Sequence, residues 1–366
     1  MSRLRALTAR LALVAGGLLI GVLLAEGLAR LIAPDAAADL LFDAPSNAPD
    51  GMYVADRQLG WAPNPGFSGT LRSLGYSVPI QFNSLGHRGG EPAQPGGWLV
   101  VGDSFTLAAQ VPEEETFTDR LRQAGIPAEN AGVDGYSTWH ARIRYARAAD
   151  KLQPDGVLLI YFLGNDPGDD ERFASGIHML PGATHGQPLD SPAGGGPTAF
   201  LAQRSFVYGQ LRVWMRRRAL ASSGGTDWNT DKWRAELRAF TKPGQQQLQQ
   251  VLSRGSQRAL AQLRDDVKRR GDKLVVALAP PAFVVEEARR EATFTLVGLD
   301  PATADVDGPA RAVSAELARL GVSTCDLTPA LRQAAGAGEA LYFTYDGHWT
   351  AAGHRVVADA LVDCLK

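Results

Sequence analysis

The chain has 366 residues, 45% of them hydrophobic and 21% charged, with 40 Gly and 22 Pro, and this content of core-forming residues excludes a disordered or fibrous protein. A formal net charge of −2 excludes the broad basic footprint that a phosphate backbone requires, so nucleic acid is not an expected partner. At roughly 100 to 200 residues per domain, the length admits two domains or one large domain with extensions.

The averages conceal an uneven start. Arg3, Arg5 and Arg10 surround or precede an uncharged run from Leu11 to Ala25, after which Glu26 and Arg30 interrupt apolar residues up to Ala33. Read to Ala33, the stretch reaches the roughly 20 residues that span a bilayer. Glu26 opposes insertion by about 2.5 to 3.5 kcal/mol, which roughly a dozen Leu, Ile and Val at about −0.3 to −0.6 kcal/mol each offset. Residues 1–34 are therefore expected to form an uncleaved membrane anchor. The rival is a signal peptide cleaved near Ala36, Ala37 and Ala38. Under both readings the arginines stay cytoplasmic and everything after residue 34 is exported.

Residues 35–96 form a Pro-, Gly-, Asn- and Ser-rich extension in which Tyr76, Val78, Ile80 and Phe82 alternate before Asn83-Ser84-Leu85-Gly86, the pattern of short strands and turns. From there buried strands alternate with amphipathic helices. Trp98 to Val101 is a compact apolar strand, and Pro112-Glu113-Glu114-Glu115 opens a helix predicted to run through Leu121, with acids suited to its first turn. A short strand lies around Asn130, a helix spans Tyr136 to Leu152, and Gly156 to Leu163 reads as a strand covered on both faces. The next such strand is Lys273 to Ala279. Between them, about 167–271 reads as a helical insertion, with Phe200, Leu201, Tyr208, Leu211, Trp214 and Met215 forming a core stripe and Arg216, Arg217 and Arg218 complementing its end. A helix from Pro309 to Leu320, a strand from Val322 to Leu327 and a helix from Thr350 to Leu365 complete the alternation. Parallel strands joined by helical crossovers imply a three-layer α/β/α sheet spanning residues 97–366.

In such a sheet, functional groups gather beyond the carboxyl ends of the strands. Gly102-Asp103-Ser104 places a hydroxyl and a backbone N–H on a turn directly after a buried strand. Asn130-Ala131-Gly132 offers a second unobstructed N–H, and Gly164-Asn165-Asp166 offers a side-chain amide. Asp346-Gly347-His348-Trp349, just before the last helix, supplies an acid and a base. A Ser hydroxyl is a poor nucleophile until a His takes its proton, and a carboxylate on the other ring nitrogen fixes the tautomer. Ser104 is then the nucleophile, His348 the base and Asp346 the orienting acid, with Ser104 N–H, Gly132 N–H and the Asn165 amide as the oxyanion hole. Each patch taken singly is also an ordinary turn or loop. Their order at successive strand ends is what favours chemistry.

These four patches resemble the sequence blocks of the SGNH/GDSL hydrolase superfamily over residues 97–166 and 272–366, leaving the insertion uncovered. The resemblance implies a flavodoxin-like α/β/α fold, Ser104 as nucleophile, Gly132 and Asn165 as oxyanion donors and His348 as base. One departure stands out: the family places Asp three residues before the His, whereas Asp346 and His348 are two apart. That spacing, followed by Trp349, is similar to SGNH-like proteins of bacterial polysaccharide O-acetylation, including the alginate type. Leu59-Gly60-Trp61 and Asn83-Ser84-Leu85-Gly86-His87-Arg88 resemble an extension found in membrane-anchored bacterial members. The Gly-x-Ser-x-Gly elbow of α/β-hydrolases is absent.

The expected activity is an exported serine esterase that removes acyl groups, acetyl first, from a carbohydrate or cell-envelope molecule. A polysaccharide O-acetyltransferase using the same Ser/His pair and a non-catalytic glycan-binding protein are the alternatives. The expected partners are an acylated small molecule or polysaccharide, the membrane through the N-terminal helix, and exopolysaccharide machinery. The expected location is the inner membrane, with the catalytic domain in the periplasm or outside the cell. No cofactor and no metal are expected, since no His or Cys spacing resembles a metal site. His354, His140, His178 and His185 read as structural or exposed, and His87 with Arg88 as a structural turn, with substrate contact as the alternative. The two cysteines, Cys325 and Cys364, both fall late in an exported chain, where they form either a disulfide or two buried thiols.

Overall fold

The computed structural model describes residues 2–32, 48–73, 76–92, 95–176, 207, 234–343 and 347–366. Asp346, His178, His185, Ala36 to Ala38, the stripe from Phe200 to Met215 and Arg216 to Arg218 lie outside the described residues. Helix α1 (Ser2–Ile32) contains the stretch Thr8–Leu28, whose 21 residues have a mean hydropathy of 2.2 and are long and apolar enough to cross a membrane. Leu13, Leu18 and Leu24 stand exposed along it, as lipid-facing side chains would.

Two antiparallel hairpins follow. Strands β1 (Tyr53–Asp56) and β2 (Gly60–Pro63) pair, as do β3 (Ser68–Ser73) and β4 (Tyr76–Gln81). The alternation seen in the sequence sends Tyr76, Val78 and Ile80 inward, where they meet Met52, Leu71 and Phe82 together with Leu107 and Ala109. Leu59 and Trp61 pack on Val133 and Tyr136, whose hydroxyl donates to the Trp61 carbonyl at 2.5 Å. Both hairpins thus rest on segments that leave the central sheet.

That sheet is built from β5 (Trp98–Gly102), β6 (Ala128–Asn130), β7 (Gly156–Phe162), β8 (Lys273–Ala279) and β9 (Ser323–Asp326), all parallel, in the order β6-β5-β7-β8-β9. Counted among themselves the strands run 2-1-3-4-5, the flavodoxin-like order, so the chain reverses direction across the sheet between β5 and β7. The helices α2 (Ser104–Leu107) and α3 (Phe117–Gln123) lie between β5 and β6, α4 (Thr138–Leu152) between β6 and β7, and α5 (Asp166–Ala174) follows β7. Helices α6 (Gln245–Arg254) and α7 (Ser256–Arg270) precede β8, and α8 (Ala282–Val285), α9 (Glu287–Leu296) and α10 (Gly308–Leu320) precede β9. Helices α11 (Thr328–Gly336) and α12 (Ala351–Leu365) close the chain.

Because successive strand residues point to opposite faces, Leu99, Val101, Val157, Leu159, Val276 and Leu278 join Tyr145 of α4, Leu260 and Leu263 of α7 and Val313 and Leu317 of α10 on one face. Trp98, Val100, Leu158, Ile160, Val275 and Ala277 join Leu121 of α3, Leu331 of α11 and Val357 and Leu361 of α12 on the other. This is the three-layer α/β/α arrangement that the alternating pattern implies.

Two boundaries differ from the sequence reading. The span expected as an insertion, about 167–271, ends earlier, because α6 and α7 bury Leu248, Leu252, Leu260 and Val267 in the central core as the crossover to β8. Its amphipathic pattern is that of any covering helix, so the sequence did not separate it from the segment before it. The helix expected from Pro112 through Leu121 is broken at Thr116, whose backbone is extended (φ −68°, ψ 151°) and whose hydroxyl accepts from Asp119 N–H at 3.2 Å. A local N-cap outweighs the continuous acidic run.

Candidate active site

Each strand-end patch emerges at the carboxyl edge of the sheet, Ser104 after β5, Gly132 after β6 and Asn165 after β7. The crevice at the β5/β7 reversal is where this topology leaves room for a ligand. Two glycines make the turns feasible. Gly102 has φ +148°, and a side chain there would meet Thr106 Oγ1 at 2.3 Å and the Ile160 carbonyl at 2.6 Å. Gly132 lies against the Ser104 helix so closely that a Cβ would come within 2.4 Å of Leu107 N and 2.5 Å of Thr106 Cβ.

Ser104 is the first residue of α2, so its N–H has no acceptor within that helix. Asp103 caps the helix by accepting from Phe105 N–H at 2.9 Å. The Ser104 hydroxyl lies 2.7 Å from His348 Nε2, which brings together side chains separated by 244 residues. His348 sits on a loop held at both sides: Phe343 N–H donates to the His348 carbonyl at 2.9 Å, and Tyr342 bridges to Trp349. Trp349 is fully buried beside Phe105 and Phe117, with ring centroids at 4.9 and 6.2 Å, and the Tyr342 hydroxyl donates to the Pro280 carbonyl at 2.9 Å. The Phe105 ring also lies 4.7 Å from the imidazole of His348, so one face of that ring is apolar. Asp346, expected to orient that base, lies outside the described residues.

The expected oxyanion donors are differently engaged. Asn165 stands at the N-cap of α5 without making a capping bond, and its Oδ1 is buried with no hydrogen-bond partner among the described residues. That oxygen is an acceptor, so a role toward an oxyanion would fall to the Nδ2 group of the same amide. The Gly132 N–H is occupied, donating to Asn130 Oδ1 at 3.1 Å, while Asn130 Nδ2 donates to the Thr106 carbonyl at 2.8 Å.

Sequence reading passed over the buried acids beneath these turns. Asp103 and Asp166 are both inaccessible, and each uses one oxygen, on Phe105 N–H and Phe162 N–H, leaving the other without a partner. Burial drives both carboxyls above the usual range, and the negative charge of Asp103 raises Asp166 further, while the Phe105 N–H bond and His348 oppose the rise at Asp103. Asp170 accepts from Thr138 N–H at 2.8 Å and Thr138 Oγ1 at 2.9 Å, and burial pushes its pKa up to about 7. An aspartate after a strand reads as a solvated turn residue, and the sequence carried no signal that these are enclosed.

The other described histidines have separate surroundings. His354 is buried between the rings of Phe117 and Trp349, and desolvation holds its pKa well below the ordinary value. His87 is bonded to Glu129 at 2.9 Å, and burial lowers its pKa to about 4. His140 stacks on Tyr136 at 4.5 Å. Among the described residues no group of His, Cys, Asp and Glu is arranged to hold a metal ion.

The fold and site thus combine a serine and a histidine in hydrogen-bond contact with the carboxyl edge of a flavodoxin-like parallel sheet. Residues 240–366 match the family model described as "SGNH hydrolase-like domain, acetyltransferase AlgX". The matched part, about a third of the chain, includes His348 but not Ser104, Gly132 or Asn165. No curated protein sequence gives a significant match. Similar solved structures include a catalytic mutant of an acetylxylan esterase from Geobacillus stearothermophilus, 13% identical over 75% of this chain and 96% of that one, with a TM-score of 0.37. A putative SGNH hydrolase from Slackia heliotrinireducens is 14% identical over 75% of this chain and all (100%) of that one, TM-score 0.39. A putative lipolytic protein of the G-D-S-L family from Desulfitobacterium hafniense is 13% identical over 73% and 98%, TM-score 0.36. The site described above rests on its own geometry and not on these likenesses.

Proposed function

We propose that the protein is an exported, membrane-anchored serine esterase that removes acyl groups, acetyl first, from a carbohydrate or other cell-envelope molecule. The observation that carries this reading is the 2.7 Å contact between His348 Nε2 and Ser104 Oγ. As the hydroxyl oxygen attacks the ester carbonyl, its proton passes to Nε2, and the same proton then leaves with the sugar alcohol. Water attacks the acyl-serine by the same route in reverse, releasing the carboxylic acid and restoring both side chains. The Ser104 N–H and the Asn165 amide face the developing oxyanion, and the Gly132 N–H joins them by exchanging Asn130 Oδ1 for the substrate oxygen. Asp346, two residues before His348, is assigned to the other ring nitrogen. Export is supported by the apolar stretch Thr8–Leu28 and by the disulfide between Cys325 and Cys364, a bond that persists in oxidising compartments.

A second reading is favoured by the family description, which names an acetyltransferase. There the acyl-serine is captured by a sugar hydroxyl instead of water, in keeping with a place in exopolysaccharide machinery. The test uses purified full-length protein. A fluorophosphonate should label it, and Ser104→Ala should abolish labelling; persistent labelling of that variant overturns the nucleophile. Supplied with an acetyl donor and an oligosaccharide, an esterase releases free acetate only, whereas acetylated sugar establishes transfer.

A further inference from the structure

The segment from Asn83 to Arg88 runs behind the site, and its contacts give it a role. Burying a guanidinium is unfavourable unless its N–H groups find acceptors, yet Arg88 is fully buried. Its Nη1 donates to the carbonyls of Leu107, at 2.7 Å, and Ala108; its Nη2 donates to the Val111 carbonyl at 2.5 Å; and its Nε lies 3.0 Å from Glu113 Oε2. These carbonyls belong to the residues that end and follow α2, the helix that Ser104 begins. Ala108 ends it in the left-handed conformation, φ 57°, with its N–H donating to the Ser104 carbonyl at 2.9 Å. A helix of four residues has no cooperative length with which to hold itself. Its far end is held by Arg88.

The backbone of Arg88 grips the neighbouring turn. Its N–H donates to the Asn130 carbonyl at 2.9 Å, and Asn130 in turn bonds both the Thr106 carbonyl and the Gly132 N–H. The hairpin itself is pinned to β6 because Asn83 Nδ2 and His87 Nδ1 both reach Glu129 Oε1, at 2.7 and 2.9 Å. One residue therefore ties the nucleophile helix to the Gly132 turn. We propose that Arg88 is a positioning residue for Ser104, setting the hydroxyl against His348 and the oxyanion donors, so that the extension completes the active site. This rests on the reading of Ser104 as the nucleophile.

The test compares full-length wild type, Arg88→Lys and Arg88→Met, each in detergent, by the rate of fluorophosphonate labelling, by kcat and KM for p-nitrophenyl acetate, and by the folded fraction from circular dichroism. A displaced nucleophile loses about 100-fold in rate for a shift near 1 Å. The expected result for Arg88→Met is a loss of that order in kcat and labelling rate at an unchanged folded fraction, with KM within about twofold. Arg88→Lys, which restores a cationic donor, should recover part of the rate. A folded Arg88→Met that labels at the wild-type rate overturns the proposal. So does labelling lost only in proportion to the folded fraction in both variants, since Arg88 would then serve the fold and not the nucleophile. Failure of the wild type to label at all overturns the reading of Ser104 itself, a result distinct from both.

Discussion

Reduction of the Cys325–Cys364 disulfide gives a quantitative test of how the C-terminal layer is held. Cys325 lies in β9, an edge strand paired only with β8, and Cys364 lies in the last turn of α12, 39 residues further on. In the chain-entropy treatment, closing a loop of this length removes about 13 cal/mol/K from the unfolded chain, or about 4 kcal/mol at 25 °C. At roughly 2 to 4 °C per kcal/mol, the melting temperature should fall by on the order of 10 °C. The assay is a thermal melt of full-length protein with and without phosphine reductant, alongside a thiol titration showing two free cysteines in the reduced sample. The variant pair Cys325→Ala with Cys364→Ala should reproduce the drop. The His348 loop is pinned independently by Tyr342 and Trp349, so labelling of Ser104 at 25 °C should change little while heat inactivation accelerates. A melt that does not move when both thiols titrate would refute the reasoning.

Trp349→Ala should destabilise the domain by about 3 to 5 kcal/mol, measured by denaturant unfolding, and should slow Ser104 labelling, because it removes the fully buried ring beneath His348. Gly132→Ala should also slow labelling, since its Cβ would collide with Leu107 N in the helix that Ser104 begins; wild-type kinetics would show that the two segments separate easily. Asp170 provides a pH test. Its folded pKa, about 7, lies above the unfolded value of 3.8, so its contribution is complete below about pH 3.8 and is lost as pH rises through 7, by at most about 4 kcal/mol. Over the same range His87, whose folded pKa of about 4 lies below the ordinary 6.5, contributes fully above pH 6.5 and loses its contribution as pH falls toward 4. Stability should therefore fall as pH rises from 6.5 through about 7 and level off above it, a limb that the buried carboxyl of Asp103 shares, and Asp170→Asn should make it shallower; an unaltered slope, followed by chemical denaturation, would show that Asp170 is already ionised in the folded protein.

Much of the architecture was legible from hydrophobic pattern alone. Lys273 to Ala279 is a strand from end to end, and Gly156 to Phe162 is buried on both faces, as a continuous apolar run between helices requires. The strand-end turns were legible for the same reason, since Gly102 and Gly132 mark positions where only a glycine fits. Short helices were not. Ser104–Leu107, Ala282–Val285 and Thr328–Gly336 are too brief to show a helical period, and their existence depends on what they pack against. Residues of ambiguous polarity were missed too. Aspartates after strands read as solvated and Arg88 as part of a turn, yet Arg88, Asp103 and Asp166 are enclosed, because acceptors, donors or a retained proton replace water around them.

By itself, then, the sequence determined which segments are strands and long covering helices, which stretch suits a membrane, and which turns follow the strands. Periodicity and residue type are local properties, and these features follow from them. Only the tertiary structure decided that Ser104 and His348 meet at 2.7 Å, that Cys325 and Cys364 are joined, that the Gly132 N–H is engaged by Asn130, and that Arg88 reaches the far end of the helix that Ser104 begins. Those facts depend on strand order and on the packing of segments far apart in the chain, which no local pattern encodes.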